Sequence, residues 1–261
     1  MADFSTIGIL GGMGPEATNQ LCALLTALTP VARDQDHIPV ITYNNSSIPD
    51  RVRAVRGEAN AESPVPEMIR TARVLEEAGA RLLLMPCNLA HFYYDDIQAA
   101  IRVPLLNMIE ETVNFVVENY PHCRRVGIVA STPTLECGIY ERAFLKRGRI
   151  LLRPDDTDQQ TKVMRAIYAE DGLKCGYKQK PRALLMEVAE RLAAEGAEII
   201  IAGCTEASLV MKQEESQFPI IDPMEIIARV AIERARAGTG AGAPPGEALA
   251  SSESGAPAQA R

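Results

Sequence analysis

Two cysteines stand at matching places in the sequence, and their thiols could carry acid–base chemistry. Cys87 and Cys204 each follow a short run of apolar residues, and such runs become buried strands in α/β proteins. Ligands of open parallel sheets bind outside the carboxyl ends of the strands. Two thiols at facing strand ends could remove a proton from one side of a substrate carbon and return one to the other. The pair therefore predicts inversion at a stereocentre, with buried core cysteines as the competing interpretation.

The sequence repeats itself, which supports treating the two cysteines as a pair. Short apolar runs alternate with helical patterns in both halves, which is typical of mostly parallel sheets covered by helices. Three blocks of the first half recur in order and at similar spacing in the second: 7–12 in 126–133, 77–88 in 195–205, and 103–110 in 218–225. We therefore expect an α/β protein with two pseudo-symmetric Rossmann-like lobes. The first lobe would span 1–112, completed by 220–236, and the second 113–219.

Composition and charge exclude several classes of protein. The chain has 261 residues and a net charge of −7, which argues against a surface that coats nucleic acids. It lacks the long apolar run of a membrane span and a leader-like N-terminal pattern, so we expect a cytoplasmic protein. The segment 237–261 is rich in Ala, Gly and Pro and is predicted to be disordered.

The other four cysteines are interpreted as bystanders, because none has a counterpart in the repeat. Their spacing does not match that of metal ligands, so no metal site is predicted. These residues are Cys22, Cys123, Cys137 and Cys175.

A glycine-rich turn after the first strand has two interpretations. Residues 12–17 (GMGPEA) fit a loose dinucleotide-binding pattern. The run 39–45 ends in Asn44 and Asn45, however, where a ribose-binding acid is expected. The alternative is that backbone N–H groups of the turn bind a carboxylate. The matching turn of the second half, 131–134 (STPT), would add hydroxyl donors.

Four motifs in this order resemble the aspartate/glutamate racemase family, and the likeness runs from about residue 6 to residue 235. They are 7–15 (IGILGGMGP), 44–51 (NNSSIPDR), 85–91 (MPCNLAH) and 202–206 (AGCTE). The resemblance implies two Rossmann-like lobes with the site between them, a homodimer, and catalysis by two cysteines without pyridoxal phosphate or another cofactor.

The resemblance also assigns roles to individual residues. Cys87 and Cys204 would be the catalytic acid–bases, and Arg51 and Lys174 would hold the side-chain carboxylate of the substrate. Two further residues are candidates from their positions alone: His91 would orient the loop or be an ordinary helix-turn histidine, and Glu206 would tune the Cys204 thiol or cap the following helix. The α-carboxylate and ammonium would be bound by Met13, Asn88, Ser131, Thr132, Thr134 and Thr205.

One departure from the family pattern affects the expected specificity. Leu89 stands where the family commonly has a threonine beside the first cysteine, so a hydroxyl donor is missing there. We expect a racemase that interconverts L- and D-aspartate, with glutamate as a further substrate. The alternatives are a related isomerase or decarboxylase acting on a small dicarboxylic acid, and a non-catalytic protein that binds acidic amino acids. In each case Arg51 and Lys174 are expected to favour the thiolate.

Overall fold

Two parallel sheets form the framework of the protein. The computed structural model describes residues 4–213 and 216–238, so the tail predicted over 237–261 lies outside the described residues after Gly238. In the first sheet the strand order is β2-β1-β3, with Ile7 beside both Val40 and Leu82. Its strands are β1 (Ile7–Gly11), β2 (Val40–Asn44) and β3 (Leu82–Leu84).

The second sheet repeats this arrangement and adds one strand. Its order is β5-β4-β6-β7, and every described pairing in both sheets is parallel. The central strand β4 thus corresponds to β1, as the sequence repeat predicted. The strands are β4 (Arg125–Val129), β5 (Ile150–Leu152), β6 (Ile199–Ala202) and β7 (Ile220–Ile221).

Helices connect the strands of the first sheet. Pro15 begins the first helix, where its fixed φ and missing N–H are tolerated. Asn107 caps another by accepting from the N–H groups of Ile109 and Glu110. The helices are α1 (Pro15–Leu28), α2 (Arg51–Val55), α3 (Val65–Glu77), α4 (Tyr94–Ala99) and α5 (Met108–Asn119), with 3-10 helices at Asp34–Asp36 and Leu89–Tyr93.

The second half contains an irregular helical rod. After β5 the chain forms α8, a π-helix and α9 without a break, and the rod begins at Asp155, whose side chain accepts from Asp158 N–H. The π-helix is Gln159–Met164, and a 3-10 helix lies at Leu173–Cys175. The α-helices are α6 (Thr132–Glu136), α7 (Ile139–Lys146), α8 (Asp156–Asp158), α9 (Arg165–Tyr168), α10 (Gln179–Ala194), α11 (Thr205–Ser208) and α12 (Pro223–Arg236).

The last helix returns to the first lobe. Buried side chains of α12, among them Ile227 and Ala231, share a core with Ile9 of β1 and Leu21 of α1. Strand β7 instead pairs with β6 in the second sheet. The chain therefore crosses back after residue 221, slightly later than expected. The fold is α/β with two lobes, and no described helix combines the length and apolar character needed to cross a membrane.

Candidate active site

A cleft of about 510 Å³ lies between the two lobes, within the size range of small-molecule sites. Both strand-end cysteines open onto it, together with apolar residues such as Ile48 and Leu89. Leu89, the residue two positions after Cys87, therefore forms part of the wall. Predicted site residues that line the cleft are Met13, Arg51, Cys87, Asn88, Ser131, Thr134, Lys174, Cys204, Thr205 and Glu206.

Cys87 follows β3 in a tight bend, in which its N–H donates to the carbonyl of Met85 at 2.8 Å. The residue is buried. Burial raises the pKa of the Cys87 thiol, and the positive charges of Arg51 and Lys174 only partly oppose this effect. Both cations favour the thiolate, as expected, but burial outweighs them and the net pKa of Cys87 is raised.

Cys204 follows β6 at the start of α11 and has a carboxylate partner. Its thiol donates to Glu206 Oε2 at 2.8 Å. Burial, followed by the negative charge of Glu206 and this hydrogen bond, raises the pKa of Cys204 well above its ordinary value. The resting proton is therefore held firmly on the Cys204 sulfur.

Glu206 also binds Lys174, which joins two predicted residues into one group. Lys174 Nζ lies 2.6 Å from Glu206 Oε1 and 5.3 Å from the centre of the Tyr168 ring. Burial works to raise the pKa of Glu206, but the Lys174 charge and the bond from Cys204 outweigh it, and the pKa is lowered. Glu206 is thus an ionised acceptor between a cation and a thiol.

Two residues of the cleft lining each have a buried N–H donor without an acceptor among the described residues. Arg51 Nη1 donates to the carbonyls of Ile48 and Pro49 at 3.2 and 3.0 Å, but its Nε is unpaired. Asn88 Oδ1 accepts from the Tyr140 hydroxyl at 2.5 Å, while Asn88 Nδ2 is unpaired. Because buried donors normally have partners, these two indicate that the cleft receives a ligand with acceptor oxygens.

The turn after β4 places hydroxyl groups in the cleft. Ser131 Oγ and Thr134 Oγ1 are buried and lie 3.0 Å apart. Thr132, predicted with them, does not line the cleft. Its hydroxyl accepts from the amides of Gln159 and Gln160, and its N–H donates to Met164 Sδ. The π-helix therefore holds Thr132 in place through both its hydroxyl and its N–H.

His91 lies behind Cys87 and outside the cleft lining. Its Nε2 accepts from Met108 N–H at 3.1 Å, so Nδ1 carries the proton and donates to the Cys87 carbonyl at 2.8 Å. Burial lowers the pKa of His91 to about 4. The neutral ring thus ties the Cys87 turn to the start of α5.

The glycine-rich turn is built for close backbone packing. Gly12 has a φ of +99°, and a Cβ at this position would lie 2.0 Å from the carbonyl oxygen of Asn45. The Asn45 amide in turn donates to Glu67 at 2.6 Å and to Thr71 at 2.8 Å. Asn45 is therefore committed to holding the end of β2 against α3.

Comparison with known proteins shows the family to which this chain belongs. The sequence profile described as "Asp/Glu/Hydantoin racemase" matches residues 10–231. The chain belongs to this racemase family. Membership confirms the expected enzyme class, a racemase-type isomerase. A relative, the "Broad specificity amino-acid racemase RacX" of Bacillus subtilis (strain 168), is 30% identical over 228 residues, covering 85% of this chain and 95% of RacX.

Solved structures of the racemase family share the fold. "Picrophilus torridus aspartate racemase" has a TM-score of 0.77 and 27% identity, with 88% of this chain and 94% of that chain covered. A glutamate racemase, isoform RacE1 from Bacillus anthracis, has a TM-score of 0.60 and 16% identity, with coverages of 90% and 84%. At that identity the likeness concerns the fold alone.

Several residues of this racemase-family site were missed from the sequence, and three of them lie in the second lobe. Met164 and Tyr168 line the cleft from the irregular rod, and Tyr140 of α7 orients Asn88 from the other lobe. None of them lies in a strand-end motif or has a counterpart in the repeat. Only the π-helix brings Met164 to the cleft, and no local sequence signal marks that helix.

Proposed function

We propose that this enzyme interconverts L- and D-aspartate, with glutamate as a further substrate, and uses no cofactor. The observation that carries the proposal is the placement of Cys87 and Cys204, one from each lobe, on the same cleft as the unpaired donors of Arg51 and Asn88. This arrangement combines two acid–base groups with anchors for a dicarboxylate. It suits inversion at a single carbon.

In the proposed reaction, one cysteine thiolate removes the α-hydrogen as a proton. The electron pair left on Cα delocalises into the α-carboxylate, which becomes enolate-like. The other thiol then delivers its proton to the opposite face of Cα, so the two sulfurs exchange protonation states. Donors such as Asn88 Nδ2 and the Ser131 and Thr134 hydroxyls would stabilise the developing charge, most effectively in a cleft closed to water.

Glu206 sets the resting protonation state of the Cys204 half of the reaction. The carboxylate accepts a hydrogen bond from the protonated Cys204 thiol, and Lys174 holds the carboxylate. Cys204 is therefore poised as the acid that returns a proton to Cα. Among the described residues, no carboxylate forms a hydrogen bond with Cys87. Formation of its thiolate is instead favoured by the charges of Arg51 and Lys174.

Recognition of an acidic side chain is assigned to Arg51. Its free Nε and its guanidinium charge fit a carboxylate, while Lys174 is already paired with Glu206. The apolar wall at Ile48, Val52 and Leu89 leaves room for uncharged side chains at lower efficiency. The names of the relatives, one a broad-specificity racemase and one an aspartate racemase, support both parts of this assignment. A cytoplasmic homodimer is the assembly proposed.

Incubation with L-aspartate in deuterium oxide tests the proposal. Without added pyridoxal phosphate, the enzyme should form D-aspartate that carries deuterium at Cα. A panel with L-glutamate and neutral amino acids would rank the substrates, and maleate would test the related isomerase reaction. Binding of aspartate without exchange or turnover would contradict the proposal and support a binding protein instead.

A further inference from the structure

A methionine sulfur occupies a backbone N–H of the STPT turn, whose hydroxyl groups are predicted to help bind a carboxylate. Met164 lines the cleft, and its Sδ accepts from the Thr132 N–H at 3.2 Å. Ser131 and Thr134, on either side of Thr132, also line the cleft. Met164 therefore belongs to the cleft lining and at the same time accepts from the N–H of Thr132.

The π-helix brings Met164 to this position. The rod bonds to the turn at three other points: Gln159 Nε2 donates to the Ala130 carbonyl at 3.0 Å and to Thr132 Oγ1 at 3.1 Å, and Gln160 Nε2 donates to the same hydroxyl at 3.3 Å. Single π-turns are rare and occur frequently at functional sites. The turn is thus fixed, while the Met164 side chain that ends the π-helix is free to change rotamer.

The contact from the Thr132 N–H to sulfur is weak and replaceable. A thioether is a poor acceptor, whereas a carboxylate makes hydrogen bonds about twice as strong as those between neutral groups. Methionine is unbranched and adopts several conformations at low cost. A carboxylate that enters the cleft would therefore displace the sulfur.

A second observation indicates a ligand with acceptor atoms in the same cleft. Asn88 is 3% exposed, lines the cleft, and keeps its Nδ2 without an acceptor among the described residues. We propose that Met164 is a displaceable stopper: its sulfur covers the Thr132 N–H until the substrate α-carboxylate takes that donor. This inference rests on the proposed function, because it needs an amino acid as the ligand.

Methyl NMR of the whole chain labelled with [13C-methyl]methionine tests the stopper directly. The chain has nine methionines, and the Met164→Leu variant, which conserves volume, would assign the Met164 signal. L-Aspartate should move the Met164 methyl strongly, and aspartate α-amide should not. Met13, which also lines the cleft, serves as the internal reference for binding.

The outcomes distinguish a failure of the Met164 proposal from a failure of the proposed function. If Met13 shifts and D-aspartate forms while Met164 stays unmoved, the stopper is wrong and the racemase proposal stands. If no methyl moves with any acidic amino acid and no turnover occurs, both fail. In Met164→Leu the carboxylate no longer competes with sulfur, so affinity for L-aspartate should rise about two- to tenfold. Affinity for the α-amide should not change, and equal effects on both ligands would overturn the inference.

Discussion

Cys87 and Cys204 occupy equivalent strand ends but have different surroundings. Cys204 donates to Glu206, which is held by Lys174. Cys87 instead shares its cleft wall with Arg51, and its carbonyl is held by a neutral histidine, His91. Burial raises the pKa of both thiols, but the carboxylate adds to this effect at Cys204 and is a lesser influence at Cys87.

The difference shows that a symmetric backbone can carry two unequal bases. Enantiomers have equal free energies, so kcat/KM must be the same in both directions whatever the two thiols experience. The inequality should instead appear in kcat and KM taken separately, in the pH dependence, and in hydrogen exchange. Each prediction below removes one contribution to that inequality.

Removal of either thiol should have the largest effect. In Cys87→Ala or Cys204→Ala one face of Cα has no acid–base group, and racemisation should fall by about 10³-fold. Chiral chromatography of the products measures the rate. The exposed Cys175 provides the control, since Cys175→Ala should racemise as the wild type does. Substantial activity in either single variant would contradict the two-base account.

Loss of Arg51 should come next, because it removes the proposed anchor on the Cys87 side. Hydrogen bonds to charged groups contribute strongly to the binding free energy. Arg51→Met should therefore raise the KM for aspartate about 10- to 100-fold. The KM for a neutral amino acid should change little. Steady-state kinetics with both substrates measure the ratio, and equal increases would show that Arg51 does not recognise the side chain.

His91 has no described counterpart beside Cys204 and should make the Cys87 side sensitive to acid. Because burial lowers its pKa to about 4 from 6.5, the unfolded chain binds the proton first as pH falls. Stability is therefore lost between about pH 6.5 and 4, by about 2 kcal/mol from pH 7 to pH 5. Urea unfolding at both pH values measures this loss of stability, and the part that comes from His91 should vanish in His91→Gln. An equal loss of stability in the variant would show that other groups cause it.

Neutralising Glu206 should make the two thiols more alike. The negative charge and its hydrogen bond raise the pKa of Cys204, so Glu206→Gln should lower that pKa. The rise of kcat with pH should then move by about one unit toward neutral pH. Glu16→Gln is a control with the same change in net charge, because Glu16 pairs with Lys178 on the surface. A shift toward alkaline pH would reverse the assigned role of Glu206.

The smallest effect is expected from Tyr140. Its hydroxyl donates to Asn88 Oδ1 across the lobes, and this bond fixes the orientation of the Asn88 amide. Tyr140→Phe should raise KM about two- to tenfold while kcat changes less. Tyr177→Phe, at an exposed tyrosine, should leave the kinetics unchanged. A KM at the wild-type value would show that Asn88 needs no such support.

The sequence predicted those parts of the site that lie at strand ends. The apolar runs and the repeat led us to expect Cys87, Asn88, Cys204 and Thr205 at facing strand ends, and all four line one cleft, because strand direction fixes where such residues emerge. It could not predict that Thr132 bonds to the π-helix or that Lys174 pairs with Glu206. Those contacts join elements distant in sequence, and their geometry depends on tertiary packing.

Hydrogen exchange by the two single cysteine variants tests the central claim most directly. Each variant is incubated in alkaline deuterium oxide with pure L- or D-aspartate, and deuterium at Cα is followed by NMR. One remaining thiolate reaches only one face, so each variant should exchange a single enantiomer, opposite in the two variants, without racemisation. Exchange of both enantiomers by one variant, or of the same enantiomer by both, would contradict two opposed cysteine bases.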